Sequence, residues 1–76
     1  MTPRLPVVTA DDLVRVAKRA GFMLDRQKGS HGIYFRATDK ARVVIPMHKG
    51  KNIKPKTLTA IIEDMGLTVK EFRALL

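Results

Sequence analysis

Residues 31–46, HGIYFRATDKARVVIP, decide the fold class. HGIYFRA (31–37) is rich in β-branched and aromatic residues and reads as a strand. TDKA (38–41) supplies turn chemistry, and RVVIP (42–46) reads as a further strand that stops at Pro46. Working outward, FMLDRQ (22–27) alternates Phe22 and Leu24 with Met23, Asp25 and Gln27, as a half-buried strand does. Lys28, Gly29 and Ser30 break that run before His31. Three short strands joined by tight connections predict an antiparallel meander. Alternation sends Tyr34 and Phe35 to opposite faces. Phe35 shares parity with Ile33 and is the ring expected inside, although the Gly29-Ser30 break leaves the parity of His31 open.

Helical patterns flank the strands. In TADDLVRVAKRAG (9–21), Leu13, Val16, Ala17 and Ala20 follow i, i+3, i+4, i+7 spacing, with Arg15, Lys18 and Arg19 opposite. Thr9 is the expected N-cap, with Asp12 placed for a capping box, and Gly21 is the expected terminator. After the loop MHKGKNIK (47–54), Pro55 suits a first helical turn. Leu58, Ile61, Ile62 and Met65 form its stripe, and Gly66 ends it. A short last helix, TVKEFRALL (68–76), opens with Thr68 and Glu71 as a capping box, flanked by Leu67 and Phe72 at the staple positions. The expected class is therefore α+β, in the order α-β-β-β-α plus a short C-terminal helix. The helices cover one face of the three-stranded sheet and leave the other free.

The composition bounds the rest. A chain of 76 residues is one small domain near the limit of what a hydrophobic core alone can stabilise. It has no cysteine, so neither disulfides nor thiolate metal sites support it. Two histidines and scattered carboxylates show no zinc spacing, and no carboxylate cluster suits catalytic Mg²⁺. There is no Walker-type loop and no dinucleotide fingerprint. The apolar patch Leu5–Val8, broken by Pro6, is too short for a signal-peptide core or a membrane span, so a cytoplasmic protein is expected.

Fifteen Lys and Arg against seven Asp and Glu give a net charge of +8, which favours a polyanionic partner. The excess is concentrated in residues 25–56, where Arg26, Lys28, Arg36, Lys40, Arg42, Lys49, Lys51, Lys54 and Lys56 face only Asp25 and Asp39.

His31 is the first candidate for chemistry. Histidine can pass a proton in either direction near neutral pH. RNA cleavage needs that service, because the 2′-OH must lose a proton and the departing 5′ oxygen must gain one. Arg26 and Lys28 stand close by to offset charge on phosphorus, and Gly29 allows close backbone approach. On spacing alone, an edge histidine without a chemical role is the commoner outcome. His48 is the second candidate, as an acid–base partner, a phosphate contact or a strand end. Spacing does not bring the two imidazoles together, and a binding or structural role is the preferred one. The four lysines of HKGKNIKPK (48–56) precede a helix N-terminus, where N–H groups and the dipole favour phosphate. In isolation such a cluster is more often a solvated loop.

Three pieces, KGSHGIY, VVIPMHKGKNIKPKTLTAII and GLTVKEFRALL, together resemble the HicA family of mRNA interferase toxins, from about Thr9 to Leu76. The G-S-H triplet before a strand is the most specific part. The P-x-H after the third strand, the K-P-x-T-L helix opening and the G-L-T…E-F close support it. The resemblance implies a double-stranded-RNA-binding-domain-like fold and a metal-independent endoribonuclease that cuts messenger RNA. It implies that His31 is catalytic and that a HicB antitoxin covers the active face. It divides the chain into an N-terminal extension (1–8) and a toxin domain (9–76), with no cofactor. Expected RNA contacts are Arg26, Lys28, Gly29, Ser30, His48, Lys49, Lys51, Lys54 and Lys56. Two positions depart from the family pattern: Lys56 replaces a common glycine, and Gly32 stands where a second histidine or a bulkier residue is common. The alternative class is a non-catalytic nucleic-acid-binding module. A membrane-surface or acidic-protein adaptor is weaker, because the apolar stripes match a core.

Overall fold

The computed structural model describes residues 5–76, so part of the expected N-terminal extension, residues 1–4, lies outside the described residues. The elements run α1 (Ala10–Arg19), β1 (Met23–Lys28), β2 (His31–Arg36), β3 (Ala41–Pro46), α2 (Pro55–Asp64) and α3 (Val69–Leu75). The strands form one antiparallel sheet in the order β1-β2-β3. This is the α+β meander expected from the sequence. No helix among the described residues is long and apolar enough to cross a membrane.

Local chemistry sets the helix ends. Thr9 and Asp12 close a capping box on α1: the Thr9 N–H donates to Asp12 Oδ2 (2.9 Å) and the Asp12 N–H to Thr9 Oγ1 (3.4 Å). These bonds favour the ionised carboxylate, and the Thr9 N–H leads in holding the Asp12 pKa below its ordinary value. Thr68 and Glu71 repeat the arrangement on α3. Both α1 and α2 end in Schellman motifs. At α1, the Phe22 N–H reaches Ala17 O (2.9 Å) and the Gly21 N–H reaches Lys18 O (3.1 Å); at α2, Leu67 and Gly66 bond Ile62 and Glu63 in the same way. Gly21 and Gly66 take φ of +94° and +74°, which the motif requires.

The core lies between the helices and the inner sheet face. Leu13, Val16 and Ala17 of α1 meet Val43 and Ile45 of β3, Leu58, Ile61 and Ile62 of α2, and Met65 and Phe72. Val8 is buried with them, ahead of α1. The Val8 carbonyl accepts from the Ile53 N–H (2.8 Å), and Thr9 bridges Asn52, so the chain before α1 grips the loop before α2.

Two expectations fail in the sheet. Strand β1 is exposed along its whole length rather than half-buried. Phe22 is buried just before it, while Leu24 is 53% exposed. The reason is coverage: among the described residues α1 and α2 pack chiefly on β3, which leaves the far edge strand largely uncovered on its inner side. Its register also shifts between Leu24 and Arg26, as at a bulged edge. The second concerns the aromatic pair. Tyr34 is the buried ring, and Phe35 lies on the outer face. Register decides this, because Tyr34 sits opposite Val43 and Phe35 opposite Arg42, and directly paired residues share a face. Burial raises the Tyr34 pKa.

Candidate functional site

The β1–β2 hairpin closes on two residues, Gly29 and Ser30, between the paired Lys28 and His31. Gly29 has φ +57° and Ser30 does not share the positive sign, the pattern of a type II′ turn with glycine first. The hairpin fixes His31 as the first residue of β2, and the register fixes its face. Lys28 lies directly opposite on β1 and Pro46 directly opposite on β3, so all three project from the outer face. The next row, Arg26, Ile33 and Val44, continues on that face.

Strand pairing runs one step past Pro46: the Met47 N–H donates to Ser30 O at 2.6 Å. His48 follows at once and opens a tight turn. The His48 carbonyl accepts from the Lys51 N–H (3.2 Å), and Gly50 has φ +76° at the third position, as a type II turn requires. The chain then enters α2 through Lys54 and Pro55. Lys54 is its N-cap residue but gives no side-chain cap, and no acidic residue occupies the first turn. Among the described residues, the positive end of the α2 dipole and the N–H groups of Lys56 and Thr57 therefore lack a side-chain partner at this end. Pro55 contributes no N–H.

These pieces enclose one groove of about 600 Å³, lined by His31, Val44 and Pro46 on one side and His48, Lys51, Asn52, Ile53, Lys54 and Thr57 on the other. Both histidines are exposed, and among the described residues neither imidazole makes a hydrogen bond or ion pair. The groove thus joins two free imidazoles, two lysines and an uncapped helix N-terminus over an apolar floor. Chemically it can hold an anion and exchange protons with what the anion carries.

The expected site residues divide accordingly. His31, His48, Lys51 and Lys54 line the groove, and Lys28 adjoins it through its pairing with His31. Gly29 and Ser30 build the turn beneath His31. Arg26 is one row farther along the sheet, within 3.9 Å of the Asp25 carboxylate. Lys49 lines a smaller recess beside the groove, with Asp11. Lys56 is exposed on α2 and does not line the groove. Asn52 and Thr57 were missed as groove residues. Asn52 stands within the lysine-rich stretch and Thr57 directly after it, as the threonine of K-P-x-T-L, but neither carries the charge that drew attention to its neighbours. Gly32 is on the inner face, opposite to His31, so a side chain there would point away from the groove and crowd Tyr34, with its Cβ 3.1 Å from Tyr34 Cε1.

Arg36 leaves the basic group altogether. Its guanidinium donates to Asp39 through Nε (2.9 Å) and Nη2 (2.8 Å), to Ala20 O (2.9 Å) and to Met65 O (3.1 Å). It also stacks 4.5 Å from the Phe22 ring centroid. No cluster of three or more His, Cys, Asp or Glu side chains suited to a metal occurs among the described residues.

Residues 10–67 match a family model described as the HicA toxin of bacterial toxin–antitoxin systems. No curated protein matches the chain at a significant level. The matched span begins with α1 and includes the whole groove.

Proposed function

The chain belongs to the HicA family, the toxins of bacterial toxin–antitoxin pairs, and from that membership we propose that it is an endoribonuclease that cleaves messenger RNA without a metal ion. The observation that carries the reading is the groove, in which His31 lies across from the uncapped start of α2. A phosphodiester seated at the Thr57 end of the groove would be held by the helix dipole and by Lys51 and Lys54. His31 would move a proton during attack of the neighbouring 2′-OH on phosphorus. Lys28, opposite His31, would offset the negative charge that develops on the phosphoryl oxygens. Flanking phosphates would run toward Arg26 along the sheet and toward Lys49 and Lys56 on the other side. The second member of the pair would be a HicB-type antitoxin that covers this face in the cytoplasm. The chain's net charge of +8 suits a more acidic partner.

The test is cleavage of single-stranded RNA by purified protein in EDTA, beside His31→Ala. The expected outcome is cutting by the wild type and a loss of about 10²–10⁴-fold in the variant. RNA carrying 2′-O-methyl groups resists, and the product ends in a cyclic phosphate. Activity retained by His31→Ala removes that residue from the mechanism. Binding without any cutting, unchanged in the variant, would identify a non-catalytic nucleic-acid-binding module instead.

A further inference from the structure

We propose that His48 is the second proton-transfer residue of the same reaction, so that the groove works with a pair of histidines. The proposal rests on the ribonuclease reading above and assigns His48 a catalytic role within it.

The sequence separates the two histidines by seventeen positions, 31 to 48, but the sheet brings them to one place. Antiparallel pairing sets Pro46 beside His31, and the bond from the Met47 N–H to Ser30 O carries β3 past the hairpin turn. His48 is the next residue. Its backbone is fixed by the turn to Lys51, and the loop that follows is held to the N-terminal segment through Ile53, Val8, Thr9 and Asn52. Both histidines line the groove, and among the described residues neither imidazole is engaged by another side chain.

Chemistry then asks for two groups, not one. In-line attack places O2′ and O5′ on opposite sides of phosphorus. A single imidazole on one side cannot take the first proton and deliver the second in the same step. One histidine, neutral, accepts the 2′-OH proton as the O2′–P bond forms. The other, protonated, gives its proton to O5′ as the P–O5′ bond breaks. The products are a 2′,3′-cyclic phosphate and a 5′-OH, and the protons balance without water or metal. The alternative duty for His48, holding phosphate, is already served by Lys51 and Lys54 in the same groove. Lysines hold charge well but exchange protons poorly near neutral pH. The charged groups around the pair are Lys28 beside His31, Lys51 and Lys54 in the groove, and Lys49 and Asp11 in the recess adjoining His48.

The experiment compares wild type, His31→Ala, His48→Ala and His48→Gln on a short RNA with one cleavage site, in EDTA, with thermal unfolding as a check on folding. A second substrate carries sulfur in place of the bridging 5′ oxygen at that site, because a thiolate leaves without needing a proton. With ordinary RNA, both alanine variants and His48→Gln lose about 10²–10⁴-fold in kcat. With the sulfur substrate, one of the two histidine positions recovers to within about tenfold of wild type and the other does not, which identifies the acid. If His48→Ala and His48→Gln keep kcat and only raise KM, or if neither position responds to sulfur, the pair is overturned. Failure of the wild type to cut RNA would instead overturn the ribonuclease reading.

Discussion

Arg36 ties three parts of the fold together through one guanidinium. Ala20 and Met65 are the C-cap residues of α1 and α2, and the carbonyl of each accepts from Arg36. A cation there meets the negative ends of two helix dipoles, and Asp39 orients it from the β2–β3 turn. Arg36→Ala should cost about 2–3 kcal/mol in denaturant unfolding, because charged hydrogen bonds are lost and part-buried carbonyls are left unpaired. Lysine should recover only part of this, lacking the planar fork. The same pair sets an acid dependence. Hydrogen bonds from Arg36, foremost, hold the Asp39 pKa at about 2, below the ordinary 3.8. Between those values the unfolded chain binds the extra proton, so this contribution is complete above pH 4 and fades as pH falls toward 2. Asp39→Asn should flatten stability against pH across that window, as followed by thermal melting. None of this was legible in RATDKA. A charge in a basic stretch looks solvent-bound until both helix ends are seen to converge on it.

At the scale of elements, caps and stripes were readable because they are local. Thr9 with Asp12, Thr68 with Glu71, Gly21 and Gly66 act within a single turn of chain. What escaped the sequence depends on neighbours distant in the chain. IYF carries three large rings or branched chains in a row, so its inner residue, Tyr34, is chosen by pairing with the buried Val43, and exposure of Leu24 follows from where the helices lie. His48 was separable from His31 for the same reason, since only strand register joins them. The uncapped start of α2 stands out beside the two capped helices and suggests a trade between stability and function. Lys54→Asp should give Thr57 N–H a carboxylate and raise stability by about 1 kcal/mol. It should also place negative charge where phosphate is proposed to sit. RNA cleavage by Lys54→Asp should therefore fall further than by Lys54→Ala, even though the aspartate variant melts higher. Equal losses in activity would remove the helix N-terminus from the binding site.

Across the whole molecule, the charge of +8 is not one uniform field, and its parts should separate by salt. Arg36 is engaged with Asp39, and Arg19 bonds the carbonyls of Leu75 and Leu76 (2.7 and 3.0 Å), holding α1 to the end of α3. Lys51 and Lys54 line the groove. Lys40 lies in the β2–β3 turn at the opposite end of β2 from His31, roughly 15–20 Å away along the strand. Binding to single-stranded nucleic acid releases about 0.7 counterion per phosphate neutralised, which appears as the slope of log K against log salt. With 2′-O-methyl RNA as an uncut ligand, the double variant Lys51→Ala/Lys54→Ala should flatten that slope by about 1.4. Lys40→Ala should leave it unchanged within error. Affinity lost in proportion to the charge removed, with Lys40→Ala giving about half the loss of the double variant, would mean that the molecule attracts RNA by its total charge alone. Affinity lost only at the groove would tie recognition of the polyanion to the surface that presents both histidines.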